Sequence, residues 1–489
     1  MSRLIVLSNR APSLDGKRDA GGLVVALRDA LARQKGLWVG ASPDPVAEPA
    51  QTLHRHSRED FDVALFDLSP ADHEGYYLGY SNSVLWPVFH GRVDLAEFKP
   101  GFFEIYRDVA ERIARLLSAE LAPDDRIWVH DYQMLPVAKA LRDLGHENTV
   151  GFFLHIPVPP ASAFMAIPEH VEVANWLCQY DLVGLQTGRD VSHFVDVMRQ
   201  VLGGEVLSDG RLSAGQRRFE VGSHPISIDV AEFSRMAEEE AANSEPPHMG
   251  RIIGVDRLDY SKGLPQRVEA YDKLLSNNAS LRRQVHLLQV APPSRDSIKE
   301  YKETSDTLDA MCGKVMGHFA EPDWQPLTYV KRAYGQPSLA GLFRMARIGL
   351  VTPLRDGMNL VAHEYVASQD PRDPGVLVLS RFAGAAEIFD AALLVNPFDT
   401  DETAEAMRLA LVMPLEERKA RWEALFAAAK TYSIDNWAAL YLDALSSRKG
   451  AGKAKPSDPA TLPDAGQIQS FFKDLATVYE AVSAQSPAP

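Results

Sequence analysis

Cysteine is nearly missing from this chain: of 489 residues only Cys178 and Cys312 are cysteine, far apart and in no CxxC pair. A disulfide framework or a structural zinc site needs clustered cysteines, so neither is expected to hold the fold together. Positive charge is also short. Lys and Arg number 51 against 66 Asp and Glu, a formal charge of −15, whereas a general nucleic-acid binder needs a basic surface. Long apolar runs are absent. No stretch approaches the ~20 residues that cross a bilayer, so no membrane partner is expected. The run LIVL in MSRLIVLSNRAP is too short for the apolar region of a secretory signal, so a cytoplasmic chain is expected.

The common nucleotide and metal signatures are missing as well. There is no GxGxxG fingerprint and no GxxxxGK[ST] loop, which leaves nicotinamide and ATP sites unsupported. His363-Glu364 opens an HExxH-like string, but position 367 is Ala, which excludes that zinc motif. LLVNPFDTDET (393–403) fits the DxDx[TV] pattern of haloacid-dehalogenase-type phosphatases, yet the chain after Thr403 is too short for the Rossmann domain that nucleophile requires. Asp60 with Asp62 and Asp399 with Asp401 are formal DxD strings at no convincing nucleotide-metal position, so no metal and no cofactor is expected.

What is present is the profile of a soluble globular protein, 46% apolar and 24% charged. The length suits two large domains. Short β-branched runs such as LIVLS (4–8), RIWVH (126–130) and VGFFLH (150–155) alternate with amphipathic segments such as YRDVAERIARLLSAEL (106–121). Several runs are apolar without alternation, as expected for parallel strands buried on both faces. The pattern restarts at RIIGVD (251–256) and runs through VHLLQVA, LTYV, IGLVTP, GVLVLS and LLVNP. Repeated β-α units predict an α/β fold of two Rossmann-like, doubly wound halves facing across a cleft, joined near 225–250. The stretch 447–465 reads as a flexible linker, and QIQSFFKDLATVYEAV, within 466–484, as an amphipathic terminal helix.

An acidic chain that binds an anion must use local cations against its overall field. VDRLDYSKG (255–263) places Arg257 and Lys262 in a loop where an apolar run ends. Arg offers a fork of donors and Lys a point charge, a pairing suited to phosphate, although two loop cations by themselves are commonly just solvated. TPLRDGMNLVAHE (352–364) runs from a strand through Asp356-Gly357 into a helix whose free N–H groups would seat a phosphate. Asp356 could accept sugar hydroxyls and Glu364 a ribose diol, or Asp-Gly could simply make the turn. In SNRAPSLDGKRDAGGL (8–23), Gly21-Gly22 before a helix would let backbone approach a ligand. HDYQMLP and FFLHIPVPP deliver Asp131 and His155 to strand ends of one sheet.

Taken in order, SNR…AGGL, YSNSVLWPVFH, HDYQMLP, FFLHIPVPP, RLDYSKGLPQR, APPSR, TPLRDGMNLVAHEYV and GVLVLSRFAGAA resemble the trehalose-6-phosphate synthases. These are retaining glycosyltransferases of the GT-B architecture that make α,α-trehalose 6-phosphate from UDP-glucose, or sometimes another nucleotide-glucose, and glucose 6-phosphate. The resemblance spans about residues 1–446, with 204–224 weakly matched and the tail after 447 outside it. It implies an acceptor domain over 1–225, a nucleotide-sugar domain over 226–430 and a helix over 431–446 returning to the first domain. It further implies that Arg257 and Lys262 hold the donor diphosphate and that Glu364 holds the ribose. Asp356 would meet the donor glucose, the backbone of Leu360, Val361, Ala362, His363 and Glu364 would cradle phosphate, and Tyr334 would lie near the base. Gly21 and Gly22 would approach the donor from the first domain. Arg10, Tyr77, Trp86, Asp131 and Arg295 match the glucose 6-phosphate pocket, and His155 a position near the reacting sugar. His363 stands where relatives commonly carry Lys.

The resemblance also implies a homo-oligomer, a dimer or tetramer. Charge suggests the mechanism: bond breaking at the anomeric carbon sends negative charge to the diphosphate, which Arg257, Lys262 and the helix N-terminus would stabilise in place of a metal. Front-face attack, with the leaving phosphate oxygen taking the acceptor proton, is the expected course. Two other functions stay open at this point: a glucosylglycerol-phosphate synthase using glycerol 3-phosphate, and a catalytically silent sugar-phosphate sensor.

Overall fold

Two parallel sheets organise the chain. The structure, a computed structural model, describes residues 3–13, 22–32, 34–242, 250–295 and 297–447. In the first sheet the strands are β1 (Leu4–Arg10), β2 (Leu37–Ala41), β3 (His54–His56), β4 (Asp62–Phe66), β5 (Arg126–His130), β6 (Thr149–Phe153), β7 (Leu182–Leu185), β8 (Glu205–Val206), β9 (Leu212–Ala214) and β10 (Arg217–Ser223). They lie in the order β3-β4-β2-β1-β5-β6-β7-β10-β9-β8. All neighbours from β4 to β10 are parallel, while β3 and the β8-β9-β10 ribbon pair antiparallel at the two edges.

The second sheet holds β11 (Gly250–Val255), β12 (Val285–Val290), β13 (Leu327–Val330), β14 (Ile348–Val351), β15 (Val376–Ser380) and β16 (Leu393–Val395), all parallel, in the order β13-β12-β11-β14-β15-β16. That is the doubly wound order 3-2-1-4-5-6, and the central strands β4-β2-β1-β5-β6-β7 repeat it. Helices cover both faces, so interior strands such as LVGL in β7 and VLVLS in β15 are buried throughout.

The expected junction near 225–250 is partly helix. EEEAA completes the helix Val230–Ala242, which packs against the helix Gln336–Arg344 beside the second sheet. A larger departure is HEGYYLGYSNSVL (His73–Leu85), a π-helix of 13 residues. Its side chains reinforce the wide turn: Asn82 Nδ2 donates to the Tyr77 carbonyl at 2.7 Å and Ser83 Oγ to the Leu78 carbonyl at 2.8 Å, each five residues back. Gly75 and Gly79 press against Ile105 and Phe102 at the helix Phe102–Ser118, within 3 Å of where a Cβ would sit. The expected linker 447–465 and terminal helix 466–484 lie, apart from Ser447, outside the described residues.

The chain leaves the second sheet again at Ile434, whose N–H bonds the Ile228 carbonyl at 3.2 Å, so the two crossings touch. The helix Ile434–Ser446 then lies on the first sheet. Tyr441 stacks on Trp128 of β5 at 4.5 Å and 10°, and its hydroxyl donates to the Phe152 carbonyl of β6 at 3.0 Å. Gly151 and Gly184 make room for that ring, since a Cβ on either would fall within 2.6 Å of it. Trp437 adds an edge contact to Phe153 at 5.0 Å. Removing the ring should open a cavity over the sheet: Tyr441→Ala is expected to cost about 3–5 kcal/mol in urea unfolding, and Tyr441→Phe only about 0.5–1.5 kcal/mol. A wild-type midpoint for Tyr441→Ala would show that this helix does not anchor the sheet.

Candidate active site

In a doubly wound sheet, ligands bind outside the carboxyl ends of the strands where the winding reverses. Those points lie between β1 and β5 in the first sheet and between β11 and β14 in the second. Arg10 ends β1, Asp131 follows β5, and His155 lies two residues past β6. Arg257 follows β11, Arg295 follows β12, and Asp356 lies in the loop after β14.

Local chemistry fixes the cations. Asp259 accepts from the Ser261 N–H at 2.9 Å and starts a short turn over Tyr260–Lys262. Gly263 ends it at φ +64, and a Cβ there would strike the Thr352 carbonyl at 2.4 Å. A left-handed conformation and this clearance both call for glycine. Lys262 Nζ is thereby set 2.5 Å from Asp356 Oδ2, and both side chains are largely buried. Asp356 also accepts from Asn359 Nδ2 and from the Gly357 N–H, each at 3.0 Å. Burial alone would raise the Asp356 carboxyl, but Lys262, His90 and Asn359 together outweigh it and the group titrates below the usual range. Arg257, in contrast, is exposed and makes no hydrogen bond or ion pair with a described residue.

Arg295 adopts φ +54 and bridges the two sheets. Its guanidinium lies 4.2 Å from the Trp86 ring centroid and donates to Tyr132 at 3.2 Å and to the Tyr301 hydroxyl. Asp259 is 3.7 Å away. Burial works against the charge, yet Tyr132, Tyr301 and Asp259 together raise its pKa above the ordinary value. Asp131 sits at φ +74 and accepts from the His155 N–H at 3.2 Å. Burial pushes its carboxyl up to about 6 against the pull of Arg295 and Arg257. Gly357 abuts His155 so closely that a Cβ would fall 2.0 Å from the His155 carbonyl oxygen. Arg355 Nη2 donates to the Val158 carbonyl at 2.8 Å, and the Gly188 N–H donates to Glu387 at 3.0 Å, so several contacts join the lobes.

Trp86, Asp131, His155, Lys262, Arg295 and Asp356 are therefore brought to one junction. Arg10 and Tyr77 line a cavity of about 390 Å³ at the carboxyl end of β1, with Asn9, Ser42, Pro43 and His73. Arg10 is exposed, and its side chain bonds no described residue. A second cavity of about 350 Å³ lies between the lobes behind Asp356, lined also by His90, Arg92, Arg189 and Arg355.

The helix Leu360–Ser368 begins after Asn359, which takes φ +73. Leu360 and Val361 are half-buried and Ala362 is buried. Glu364 is half-buried on it, and burial pushes its carboxyl up to about 7. The His363 side chain turns elsewhere: it is fully buried, with Nδ1 2.9 Å from Ser227 Oγ and its ring 4.6 Å from Phe389. Tyr334 pairs with Arg332, whose Nη2 donates to its hydroxyl at 3.0 Å. Gly22 opens the helix Gly22–Ala32, and Gly21 lies outside the described residues.

The sequence reading passed over Tyr132, Asp259, Tyr301, Asn359 and His90. Tyr132, Asp259 and Asn359 stand inside quoted motifs but carry no spacing signal, and Tyr301 lies on an ordinary helix, Lys299–Phe319. The phosphatase-like Asp399 proves to be a helix cap, accepting from the N–H groups of Asp401 at 3.1 Å and Glu402 at 2.9 Å. Among the described residues no group of three or more His, Cys, Asp or Glu could hold a metal ion, and no helix is long and apolar enough to cross a membrane.

Comparison with known proteins adds the family. The profile of glycosyltransferase family 20 matches residues 4–447. A trehalose-6-phosphate synthase of Sinorhizobium fredii is 46% identical over 462 residues, covering 91% of this chain and 98% of that protein. Two solved GT-B structures superpose on it. A UDP-forming α,α-trehalose-phosphate synthase of Burkholderia xenovorans in complex with glucose 6-phosphate has a TM-score of 0.85 at 40% identity, covering 91% of this chain and all of that one. An E. coli protein bound with UDP-2-fluoro glucose has a TM-score of 0.88 at 38% identity, covering 92% of this chain and all of that one. The chain is a GT-B protein and belongs to glycosyltransferase family 20.

Proposed function

We propose that this protein is a retaining glucosyltransferase that moves glucose from UDP-glucose to glucose 6-phosphate, giving α,α-trehalose 6-phosphate and UDP. The observation that carries the reading is the meeting of two switch points. One brings Arg257, Lys262 and Asp356, and the other brings Trp86, Asp131 and His155, with Arg295 reaching across. Similarity to proteins solved with glucose 6-phosphate and with UDP-2-fluoro glucose supports both substrates. In this reading residues 1–225 carry the acceptor and 226–430 the nucleotide sugar.

Arg257 and Lys262 take the charge that develops on the departing diphosphate. The exposure of Arg257 supports this, because a cation that bonds no described residue keeps its donors for a ligand. Lys262 already touches Asp356, so the same ammonium joins the diphosphate to the carboxylate that would meet the donor glucose. We assign charge neutralisation to these side chains and no required cofactor to the enzyme. The acceptor oxygen attacks the anomeric carbon on the face the diphosphate leaves, and its proton passes to the leaving phosphate oxygen. Arg10, exposed beside Tyr77, and Arg295 supply cations for the acceptor phosphate, one from each lobe. The family resemblance also carries a homo-oligomer, a dimer or tetramer, and a cytoplasmic location.

Three measurements test the reading. UDP release from UDP-glucose is expected with glucose 6-phosphate; release with glycerol 3-phosphate alone, or with neither acceptor, would overturn it. Arg257→Ala should raise the barrier by about 2.7–4 kcal/mol, a loss of about 10²–10³ in kcat, with little change in the unfolding midpoint because the side chain is exposed. Near-normal turnover would remove Arg257 from the site. Glu364 gives a pH signature. Its carboxyl is protonated below about 7 in the free protein and then accepts more weakly from a diol. The KM for UDP-glucose should therefore rise as pH falls from 8 to 6 at saturating acceptor, and Glu364→Gln should flatten that profile. An unchanged slope in the variant would rule out the ribose role.

A further inference from the structure

His130 ends β5 and is 1% exposed. Its Nδ1 lies 3.1 Å from Nε2 of His155, and the two rings stack 5.4 Å apart at 19°. Burial holds both imidazoles below their ordinary range, His155 at about 3, so both rings are neutral near pH 7. A neutral imidazole carries one N–H and one bare nitrogen. The hydrogen bond between them holds a single proton, so its direction fixes both tautomers.

The far side of His130 decides that direction. Its ring lies 4.6 Å from Trp128 and 6.4 Å from Trp437, and the two indoles are 5.1 Å apart. Nε2 of His130 and Nε1 of both indoles are buried and have no hydrogen-bond partner among the described residues. An indole nitrogen only donates. A proton on His130 Nε2 would set a third donor beside two that already lack an acceptor. A bare Nε2 adds no further unpaired donor to that apolar pocket. The His130 proton then sits on Nδ1, pointing at His155.

We propose that His130 is a positioning residue: it donates its Nδ1–H to His155 Nε2 and so holds His155 as the Nδ1–H tautomer, which meets the transferred sugar as a neutral hydrogen-bond donor and not as a base. His155 is suited to this, being partly exposed with an Nδ1 that bonds no described residue. The inference rests on the glucosyltransfer reading for the identity of the sugar, but not for the tautomer. It also accounts for where the acceptor proton goes: the Nε2 lone pair of His155 is occupied, which leaves the departing phosphate oxygen to take that proton.

Long-range ¹H–¹⁵N NMR of protein carrying ¹⁵N-histidine tests the tautomers directly, with His130→Phe and His155→Phe used for assignment. Protons are expected on Nδ1 of both residues and pyridine-like signals at both Nε2 positions. A protonated Nε2 on His155 would overturn the proposal whatever the activity. In kinetics, His130→Phe keeps a ring of similar shape but loses the donor. Its kcat/KM for UDP-glucose should fall about tenfold, with the KM for glucose 6-phosphate unchanged. His130→Asn, which keeps an N–H near the Nδ1 position, should recover most of the loss. Wild-type turnover by a folded His130→Phe variant would remove the positioning role. Wild-type protein that shows the expected tautomers but transfers no glucose would instead overturn the glucosyltransfer reading and leave the His130–His155 assignment standing.

Discussion

A buried charge persists only with a partner, and at the junction of the two sheets that rule is met by Lys262 and Asp356 at 2.5 Å. Much of the surrounding backbone serves this pair. Gly263 lets the Lys262 turn lie against the Thr352 carbonyl, and Asn359, in the left-handed region, turns its amide onto Asp356. Because Asp356-Gly357 also presses on the His155 carbonyl, the pair stands where the lobes touch.

The second organising contact is Arg295. A guanidinium stacked on Trp86 and surrounded by Tyr132, Tyr301 and Asp259 is satisfied without substrate, so its charge persists in a largely buried site against the cost of desolvation. Trp86 is itself presented by the π-helix His73–Leu85, whose wide turn ends at that residue. Rare backbone geometry thus recurs at the junction, where Asp131, Arg295 and Asn359 all take positive φ.

Much of this was legible in the sequence. Unbroken apolar runs such as RIWVH and GVLVLS can only be buried parallel strands, and they fall on β5 and β15. Arg257 and Lys262 stood out only beside the other motifs, since two loop cations by themselves are commonly just solvated. The π-helix was not legible, because HEGYYLGYSNSVL follows neither a 3.6 nor a 2.0 period. His363 was legible only as a position on a helix, not as a side chain that turns to Ser227 and Phe389.

The sequence by itself determined the strand and helix segments, the paired doubly wound architecture and the residue types needed to hold phosphate and sugar, since these depend on local periodicity and on chemistry that each side chain carries alone. Only the tertiary structure decided which charges are spoken for: that Lys262 is paired while Arg257 is exposed and bonds no described residue, that Arg295 is shared between lobes, and that His130 faces His155. Those facts depend on distances between residues as far apart as Tyr132 and Arg295, and no local pattern encodes such a distance; it is set by how the two sheets pack.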